Sequence, residues 1–470
     1  MVSTFFGLEI AKSGLSAQQT ALNTTGHNIA NANTPGYSRQ RVNMEASPAY
    51  TAASIVTYMG PAQMGTGVMA SSIERLREAF LDLQYQGENK NLGEYTATTD
   101  TLEKIETIMG EPSDTGFRSV MDQFWNSWQK VSQPSSGYST REFVIQQGHS
   151  LAENFNFIDR ELKSLQQDVD SQIQTRAEQM NTIVTQVADL NRQIMDVVPH
   201  GYVPNDLYDK RDVLIDQLSN MLDIEVTRND YVASDGKKTP GTVDIKLKNP
   251  STDLVVGNDA ADIKAGDSGT LANGGTRHGI FVNGTEIEPD AGEIYGLLKS
   301  RDTTITSYMN KMNDLANAII TQVNSAHGTD FFTGDSAGNM GVAITDPNDV
   351  AKSSTPGDNS IALAVYNLKT TAQTIGTGAG AVSASFDDFT RGMITTLGIE
   401  TEKAQRMKEN TTNLLKEVDN RRQSVSGVSL DEEMSNMIKF QHGYNAAART
   451  MTAMDEMLDK IINSMGLVGR

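Results

Sequence analysis

Apolar side chains recur every seven residues at both ends of the chain. Near the start, one helical stripe holds Leu8, Leu15, Leu22 and Ile29. Near the end, nine residues occupy a similar stripe and its companion positions: Leu430, Met434, Met437, Tyr444, Ala448, Met451, Leu458, Ile462 and Met465. One such stripe alone is usually the core face of an ordinary helix. Because chain ends usually fray, two patterned ends predict helices that cover each other.

A much longer helical pattern occupies the middle of the chain. Ser139 and Glu142 have the spacing of a capping box, apolar residues then recur in steps of three and four as far as Val197, and Pro199 ends the pattern. A helix of about 57 residues is roughly 85 Å long. The molecule is therefore predicted to be elongated.

The rest of the chain contains shorter helical patterns and two non-helical stretches. The helical patterns cover residues 73–109, 117–131, 294–323 and 393–425. Residues 224–289 alternate short β-favouring runs with Gly, Asp and Asn turns, which predicts a small antiparallel β-domain. Residues 327–390 are rich in Gly, Ser, Thr and Asp and are predicted to be an irregular insertion.

The predicted fold class is mainly α. It is an elongated, multi-domain rod of long coiled-coil-like helices built from both termini, with a small inserted β-rich domain. Four domains are predicted: a terminal helical core in which residues 1–70 and 425–470 form a paired coiled coil; a helical shaft of residues 71–223, 290–326 and 391–424; the β-rich domain 224–289; and the insertion 327–390.

Charge and composition argue against several classes of function. The 470 residues include 59 Asp plus Glu against 39 Lys plus Arg, a net charge of −20. Nucleic acid binding is not expected, because phosphate contacts need clustered cations. Cysteine is absent, which excludes disulfides and cysteine nucleophiles. No apolar run approaches about 18 residues and the opening does not resemble a signal peptide, so neither membrane insertion nor a cleaved signal is expected.

Candidate catalytic and metal-binding patterns are weak. The six histidines form no His-x-x-x-His pair. Residues 376–380 are glycine-rich but lack the spacing and the lysine of a phosphate-binding loop. Asp346 and Asn348 begin like a calcium loop, yet its twelfth position is Gly357 instead of a glutamate. No catalytic residue, cofactor or metal is therefore predicted.

The segment NTTGHNIANANTPGY, residues 23–37, continues the first stripe into a turn. Pro35 and Gly36 suit the central positions of a type II turn, so the helix is predicted to end between Asn31 and Asn33. Asparagine amides near a helix end commonly bond local backbone. The residues singled out are Asn28, Asn31, Asn33, Pro35, Gly36 and Tyr37.

The final helix has its own start signals. Ser429 and Glu432 have the spacing of a second capping box. Acidic residues in the following turn favour a helix N-terminus. Within that helix Gly443 costs about 1 kcal/mol relative to alanine, and it is interpreted as a point of close helix approach.

Both chain ends resemble a known family. Residues 21–42, ALNTTGHNIANANTPGYSRQRV, resemble the N-terminal signature of the bacterial flagellar rod, hook and hook-associated proteins, and residues 426–462 resemble the C-terminal signature. Three further segments resemble the FlgK-type junction subunits of that family: TPGYSRQRV, residues 111–132 and PNDLYDKRDVLIDQLS. The resemblance covers roughly residues 1–225, 290–325 and 390–470, and says little about the β-rich insertion.

The resemblance implies a structural, non-enzymatic axial protein. Its subunits would assemble into a tubular junction layer between the flagellar hook and filament, needed for filament assembly and motility. Neighbours would be the hook protein and the second junction protein (hook-associated protein 3). The chain would be exported by the type III apparatus without a cleaved signal peptide, bind an export chaperone through its C-terminal helix, and reside outside the cell at the hook–filament junction.

The predicted assembly interface consists of apolar residues from both terminal stripes: Leu8, Leu15, Leu22, Ile29, Leu430, Met434, Met437, Tyr444, Met451, Leu458, Ile462 and Met465. Amphipathic helices are poorly stable without a partner face, so residues 1–45 and 430–470 are predicted to be mobile in the free monomer.

Two alternative functions remain. One is a flagellar hook or rod subunit, and the other is a secreted surface adhesin or enzyme on a helical stalk.

Overall fold

The computed structural model describes residues 5–48, 65–110, 116–133, 137–234, 236–353, 355, 358–376 and 381–464. The α-helices in these residues are α1 Phe6–Ala30, α2 Ala79–Met109, α3 Phe117–Val131, α4 Tyr138–Val197, α5 Asn205–Met221, α6 Glu293–Lys299, α7 Thr306–His327, α8 Ser360–Asn367, α9 Phe386–Ser426 and α10 Leu430–Ser464. The strands are β1 Gln40–Ala46, β2 Val68–Arg75, β3 Ile224–Val232, β4 Lys238–Leu247, β5 Thr252–Val256, β6 Asp259–Ala260, β7 Ile263–Thr270, β8 Thr276–Val282, β9 Thr285–Ile287, β10 Phe332–Thr333, β11 Gly341–Val342, β12 Gln373–Ile375 and β13 Val382–Ala384. This arrangement confirms a mainly α, elongated fold with small β-sheets.

Helix α4 is the axis of the molecule. Its 60 residues span about 90 Å, which confirms the predicted long helix, and Pro199 lies in the 3₁₀ turn that follows it. The predicted capping box at Ser139 and Glu142 is wrong. The Thr140 hydroxyl instead accepts a hydrogen bond from the Gly137 N–H at 2.9 Å, because the short hydroxyl side chain reaches that N–H directly.

Helices α2 and α9 form an antiparallel pair beside α4. Lys408 of α9 lies 3.1 Å from Asp100 of α2, and Gln405 donates to Glu103 at 2.9 Å. The predicted helix at 393–425 is therefore confirmed and begins earlier, at Phe386. The predicted helix at 294–323 is also confirmed, although a π-helical segment, Ser300–Ile305, separates α6 from α7.

An aromatic cluster closes one end of the core. Trp125 of α3 stacks on Phe386 at 5.6 Å, and Trp128 meets Phe331 edge-on at 5.2 Å. The expectation that residues 327–390 are irregular is wrong in part, since they contain α8 and strands β10 to β13. The polar composition hid these elements. Their few apolar side chains, including the buried Phe332 and Ile375, are enough to anchor the segment to the core.

Residues 224–289 were predicted to form one small antiparallel β-domain, and they contain two separate antiparallel sheets. One sheet has the strand order β3-β4-β5-β6 and the other β7-β8-β9. The apolar face of the first sheet, including Val243, Ile245 and Leu254, is buried in the same core as the long helices. Asn191 of α4 donates to the Val243 carbonyl at 2.9 Å. His278 of β8 donates its backbone N–H to Asp170 of α4 at 2.9 Å, so both sheets are held against the side of α4.

One predicted helix boundary is wrong. Residues 73–75 belong to strand β2, which pairs antiparallel with β1 in a hairpin, and α2 begins only at Ala79. Ile73, Leu76 and Phe80 follow one another at steps of three and four residues, which imitates helical spacing, but pairing with β1 satisfies the backbone of residues 73–75 and outweighs it. The proposed domain boundary between residues 70 and 71 lies inside β2.

Candidate assembly interface at the paired chain ends

Helices α1 and α10 lie side by side and run antiparallel. A Cβ atom on Gly7 would lie 2.5 Å from the Met454 side chain, and a Cβ atom on Gly443 would lie 2.9 Å from the Gln18 side chain. The two helices therefore approach closely at both glycines. This confirms that the chain ends pair and that Gly443 marks a close approach.

Helix α1 buries small and polar residues instead of its leucines. The buried positions are Ala11, Ala17, Ala21, Thr24, Thr25 and Asn28. The predicted stripe residues Leu8, Leu15, Leu22 and Ile29 are half-buried at the edges of this face. Small residues allow the helix backbones to approach closely, so the larger side chains are displaced to either side of the contact.

The predicted residues of α10 fall into two groups. Met437, Tyr444, Met451 and Leu458 are half-buried along α1. In contrast, Leu430, Met434 and Ile462 are 49%, 57% and 66% exposed. Met465 lies outside the described residues. The predicted interface therefore includes residues that flank the helix pair and residues that face away from it.

Asn28 is the most densely bonded of the signature residues. Its amide nitrogen donates to the Gln40 carbonyl at 2.8 Å and to Glu433 at 3.1 Å. Its amide oxygen accepts from the Tyr37 hydroxyl at 2.8 Å and from the Gln40 N–H at 3.0 Å. A purely local role for Asn28 is therefore wrong, because it joins α1, the following loop and α10.

Asn31 does have the local role that was predicted. Its amide nitrogen donates to the His27 carbonyl at 3.0 Å, and α1 ends at Ala30 with Asn31 as its cap. Asn33 and Pro35 are exposed at the tip of the loop. Of the six signature residues, Asn28 and Tyr37 are joined by a direct hydrogen bond. Asn31 bonds within its own helix end, and Pro35, Gly36 and Tyr37 share the turn that follows.

The predicted type II turn is present at Pro35 and Gly36. Tyr37 N–H donates to the Thr34 carbonyl at 3.2 Å, and Gly36 has a φ of +77°. A Cβ atom on Gly36 would lie 2.0 Å from the Val213 side chain of α5. Glycine is therefore required both by the turn and by its contact with α5.

Arg39 binds the first turn of α10. Its Nε donates to Glu433 at 2.7 Å and its Nη1 to Glu432 at 2.6 Å. Burial by itself would lower the pKa of Arg39, but Glu432 and Glu433 raise it above its ordinary value. The predicted capping box at Ser429 and Glu432 is wrong, because Glu432 is turned toward Arg39.

A buried ionic cluster lies next to these contacts. Asp212 of α5 is 1% exposed and lies 2.9 Å from Arg228, 3.0 Å from Arg75 and 3.3 Å from Arg77. Burial opposes ionisation of Asp212. The field of the arginines outweighs this and holds the pKa of Asp212 below its ordinary range. The cluster joins the hairpin, α5 and the first β-sheet.

Sequence reasoning missed Arg39, Glu433 and this cluster. The spacing of Asp209, Asp212 and Asp216 was an available signal, because positions three, four and seven residues apart share one face of a helix. That face carries the ionic contacts to Arg75, Arg77 and Arg422. The positions of the arginines in other elements gave no local signal.

Among the described residues, no cluster of three or more histidine or acidic side chains is placed to hold a metal ion. In the same part of the chain, no helix combines the length and apolarity needed to cross a membrane. Gly357 and residues 377–380, from the calcium-type and glycine-rich motifs, lie outside the described residues.

The two chain ends match family models of flagellar proteins. Residues 8–37 match the model for flagella basal body rod proteins, and residues 420–465 match the flagellar basal body rod FlgEFG protein C-terminal model. These matches cover the two paired helices. The chain ends are therefore those of a flagellar axial protein, a structural class of the bacterial flagellum.

The central region narrows the class to one family. Residues 102–344 match the helical domain of the flagellar hook-associated protein FlgK. The chain is 38% identical to flagellar hook-associated protein 1 of Bacillus subtilis (strain 168) over 100% of both chains. It is 25% identical to that of Escherichia coli (strain K12), over 96% of this chain and 98% of the relative. The chain therefore belongs to the FlgK family of flagellar hook-associated proteins.

A solved structure shares the fold. The flagellar hook junction protein FlgK from Burkholderia pseudomallei aligns with a TM-score of 0.60 and 13% sequence identity, over 73% of this chain and 100% of that one. At this identity the likeness concerns the fold alone.

Proposed function

We propose that this chain is a non-enzymatic subunit of the junction layer between the flagellar hook and filament. The observation that carries the proposal is the paired terminal helices with an apolar face directed away from the pair. Family membership supports a structural role in the flagellum. Copies of the chain assemble into a tubular layer that contacts the hook protein on one side and hook-associated protein 3 on the other.

The outward face of α10 is the main assembly surface. Leu430, Met434 and Ile438 follow one another at steps of four residues and are all about half exposed. Residues four apart lie on one face of a helix. Contiguous exposed apolar side chains mark interaction sites. This face packs against the terminal helices of neighbouring subunits.

Assembly through the outward face of α10 also determines where each domain lies in the tube. The terminal core of residues 1–70 and 425–470 lines the tube, and the shaft of residues 71–223, 290–326 and 391–424 surrounds it. The β-rich residues 224–289 and the insertion 327–390 face outward. Their place on the side and at the end of α4 supports this, because among the described elements α1 packs against α10 and the β1–β2 hairpin.

Export precedes assembly. The chain leaves the cell through the flagellar type III apparatus without a cleaved signal peptide and remains outside as part of the flagellum. An export chaperone covers the apolar face of α10 until assembly. The same residues then serve first the chaperone and later the neighbouring subunits.

Deletion of the gene followed by electron microscopy and secretion analysis tests the proposal. Hooks without filaments, with flagellin shed into the medium, are expected. Complementation with Met434→Lys should fail to restore filaments, whereas Thr450→Lys, at an exposed polar position on the opposite side of the same helix, should restore them. Missing hooks would indicate a hook or rod subunit, and intact filaments would refute a structural role.

A further inference from the structure

The chain passes between its terminal elements and its shaft through two short connections. One is residues 76–78, between β2 and α2, and the other is residues 427–429, between α9 and α10. Helices α9 and α10 would form one continuous helix if residues 427–429 were helical. The bend at these residues, here named the elbow, therefore sets the direction of α10.

The backbone of Arg39 is hydrogen-bonded to both connections. Its N–H donates to the carbonyl of Ser426 at 2.8 Å, and its carbonyl accepts from the N–H of Leu76 at 2.8 Å. Ser426 is the last residue of α9, and the last carbonyls of a helix have no partner within it. Arg39 therefore caps α9 while it holds the start of the connection to α2.

The side chain of Arg39 extends this contact across the elbow. Its two bonds reach Glu432 and Glu433 in the first turn of α10, at 2.6 and 2.7 Å. Glu433 is buried and also accepts from Asn28. Two carboxylates on consecutive residues, each bonded by a different nitrogen of one planar guanidinium, fix the orientation of that turn.

The elbow itself is adapted to bending. Gly427 has an extended backbone, with φ −72° and ψ 152°, and its N–H donates to the Gln423 carbonyl. A Cβ atom on Gly427 would lie only 2.4 Å from that carbonyl oxygen. A bent glycine linker does not determine a direction by itself. Contacts from outside the linker must do so.

We infer that Arg39 is a positioning residue that sets the direction of the α1–α10 pair relative to the shaft. It contacts both sides of the elbow, the carbonyl end of α9 with its backbone and the first turn of α10 with its side chain. The inference goes beyond the proposed function, because it concerns the free chain and holds whether or not the chain forms a junction layer.

Distance measurement on the full chain tests this inference. Because the chain has no cysteine, spin labels at Asn413→Cys in α9 and Asn445→Cys in α10 report on a single pair of sites by pulsed electron paramagnetic resonance. Both positions are exposed and lie about 20 Å from the elbow along their helices. Arg39→Gln keeps the backbone bonds and removes both ionic contacts.

The expected result is a distance distribution that broadens by roughly a factor of two, or moves, in Arg39→Gln. Arg41→Gln, an exposed arginine two residues away, is the matched control and should leave the distribution unchanged. A second pair of labels, Asn413→Cys with Gln172→Cys in α4, lies within the shaft. It should not respond to Arg39→Gln, which separates a change of direction from general loosening.

Glu432→Gln keeps the inference testable if Arg39→Gln does not fold. Glu432 is exposed, so this variant removes one of the two ionic contacts without disturbing the buried Glu433. Its distribution should broaden less than that of Arg39→Gln. The inference would be overturned if the distance distributions of Glu432→Gln, and of Arg39→Gln where it folds, superimposed on the distribution of the unsubstituted chain. Failure of the filament assay would not, since the labels are measured on monomers.

Discussion

The amide of Asn28 donates a hydrogen bond to the carboxylate of Glu433 over 3.1 Å, although the two residues are 405 positions apart. Both side chains are buried. Each of the two end signatures therefore supplies one half of a single buried contact. This explains physically why the start and the end of such a chain belong together, since neither half satisfies its polar groups alone.

Removing the Asn28 amide should loosen α10. Asn28→Ala leaves the buried hydrogen-bonding groups of Gln40 and Glu433 short of a partner, at about 1–3 kcal/mol for each group left unsatisfied. Amide hydrogen exchange in the first turns of α10 should accelerate by about a hundredfold. Asn23→Ala, at an exposed position of the same helix, is the control. Unchanged exchange in Asn28→Ala would show that the contact does not hold α10.

Substitution of Gly36 should be costly for two separable reasons. Gly36→Ala places a Cβ atom at a φ of +77° and 2.0 Å from the Val213 side chain, so the free energy of unfolding should fall by about 2 kcal/mol or more. Adding Val213→Ala should recover the part due to overlap and leave the part due to backbone strain. Both quantities are measured by denaturant unfolding.

Gly26 provides the matched control for Gly36. It lies inside α1 with no neighbouring atom within 4 Å of an added Cβ. Gly26→Ala should therefore stabilise the chain, by about 0.5–1 kcal/mol. Equal stability of Gly36→Ala and the unsubstituted chain would contradict the turn and its contact with α5.

Long periodic patterns were the part of the fold that the sequence predicted well. The 60-residue α4 and the pairing of the chain ends follow from apolar spacing, because a helix that buries one face must repeat that face along its length. Strand β2 was not predicted. Its residues 73–75 also fit helical spacing, and only their pairing with β1 makes them a strand. The local pattern carries no information about that partner strand.

The polar contacts at the chain ends were predictable only in part. The turn at Gly36 follows from local backbone preference and was found. The bonds of Asn28 to Glu433 and of Arg39 to Glu432 depend on which distant segment lies opposite, and no single-sequence rule supplies that. The apolar stripe of α1 also predicted the wrong buried face. Close approach of the helices buries its alanines and leaves its leucines only half-buried.

Asp212 should contribute strongly to stability at neutral pH. Asp212→Asn leaves several arginines without their buried counter-charge, which costs about 3–5 kcal/mol. The folded-state pKa is lowered, so this contribution is complete above about pH 4 and is lost as pH falls toward the lowered value. Denaturant unfolding at a series of pH values should show the difference between the two chains shrinking on acidification.

Asp189→Asn is the control for Asp212. Asp189 pairs with Arg192 at 2.9 Å, and both side chains are more than half exposed. The cost should therefore stay below about 1 kcal/mol. A similar cost for the two substitutions would show that the cluster around Asp212 is not specially stabilising.

His327 should make the end of the shaft sensitive to mild acid. Its buried ring accepts the Ala351 N–H at 2.9 Å, which requires a neutral nitrogen. Burial lowers its pKa, partly offset by Thr329 and Asp349. Since the unfolded chain protonates first, stability should fall as pH drops below about 6.5. His327→Gln should flatten the melting temperature against pH, whereas the exposed His149→Gln should not.

The terminal helices should be the first part of the free monomer to be digested. Within the described part of α10, Glu433 is the one buried residue, so few contacts oppose local opening of this helix. Trypsin should cut α10 at the exposed Lys439 and Arg449 before it cuts α4 at Arg192, which is also exposed, because α4 is buried along one face throughout. Mass spectrometry of timed digests gives the order. Such opening is transient and leaves the α1–α10 pair as the main state of the monomer. Resistance of α10 equal to that of α4 would refute this mobility of residues 430–470. Early cuts in α10 that disappear on assembly would show that neighbouring subunits suppress the opening.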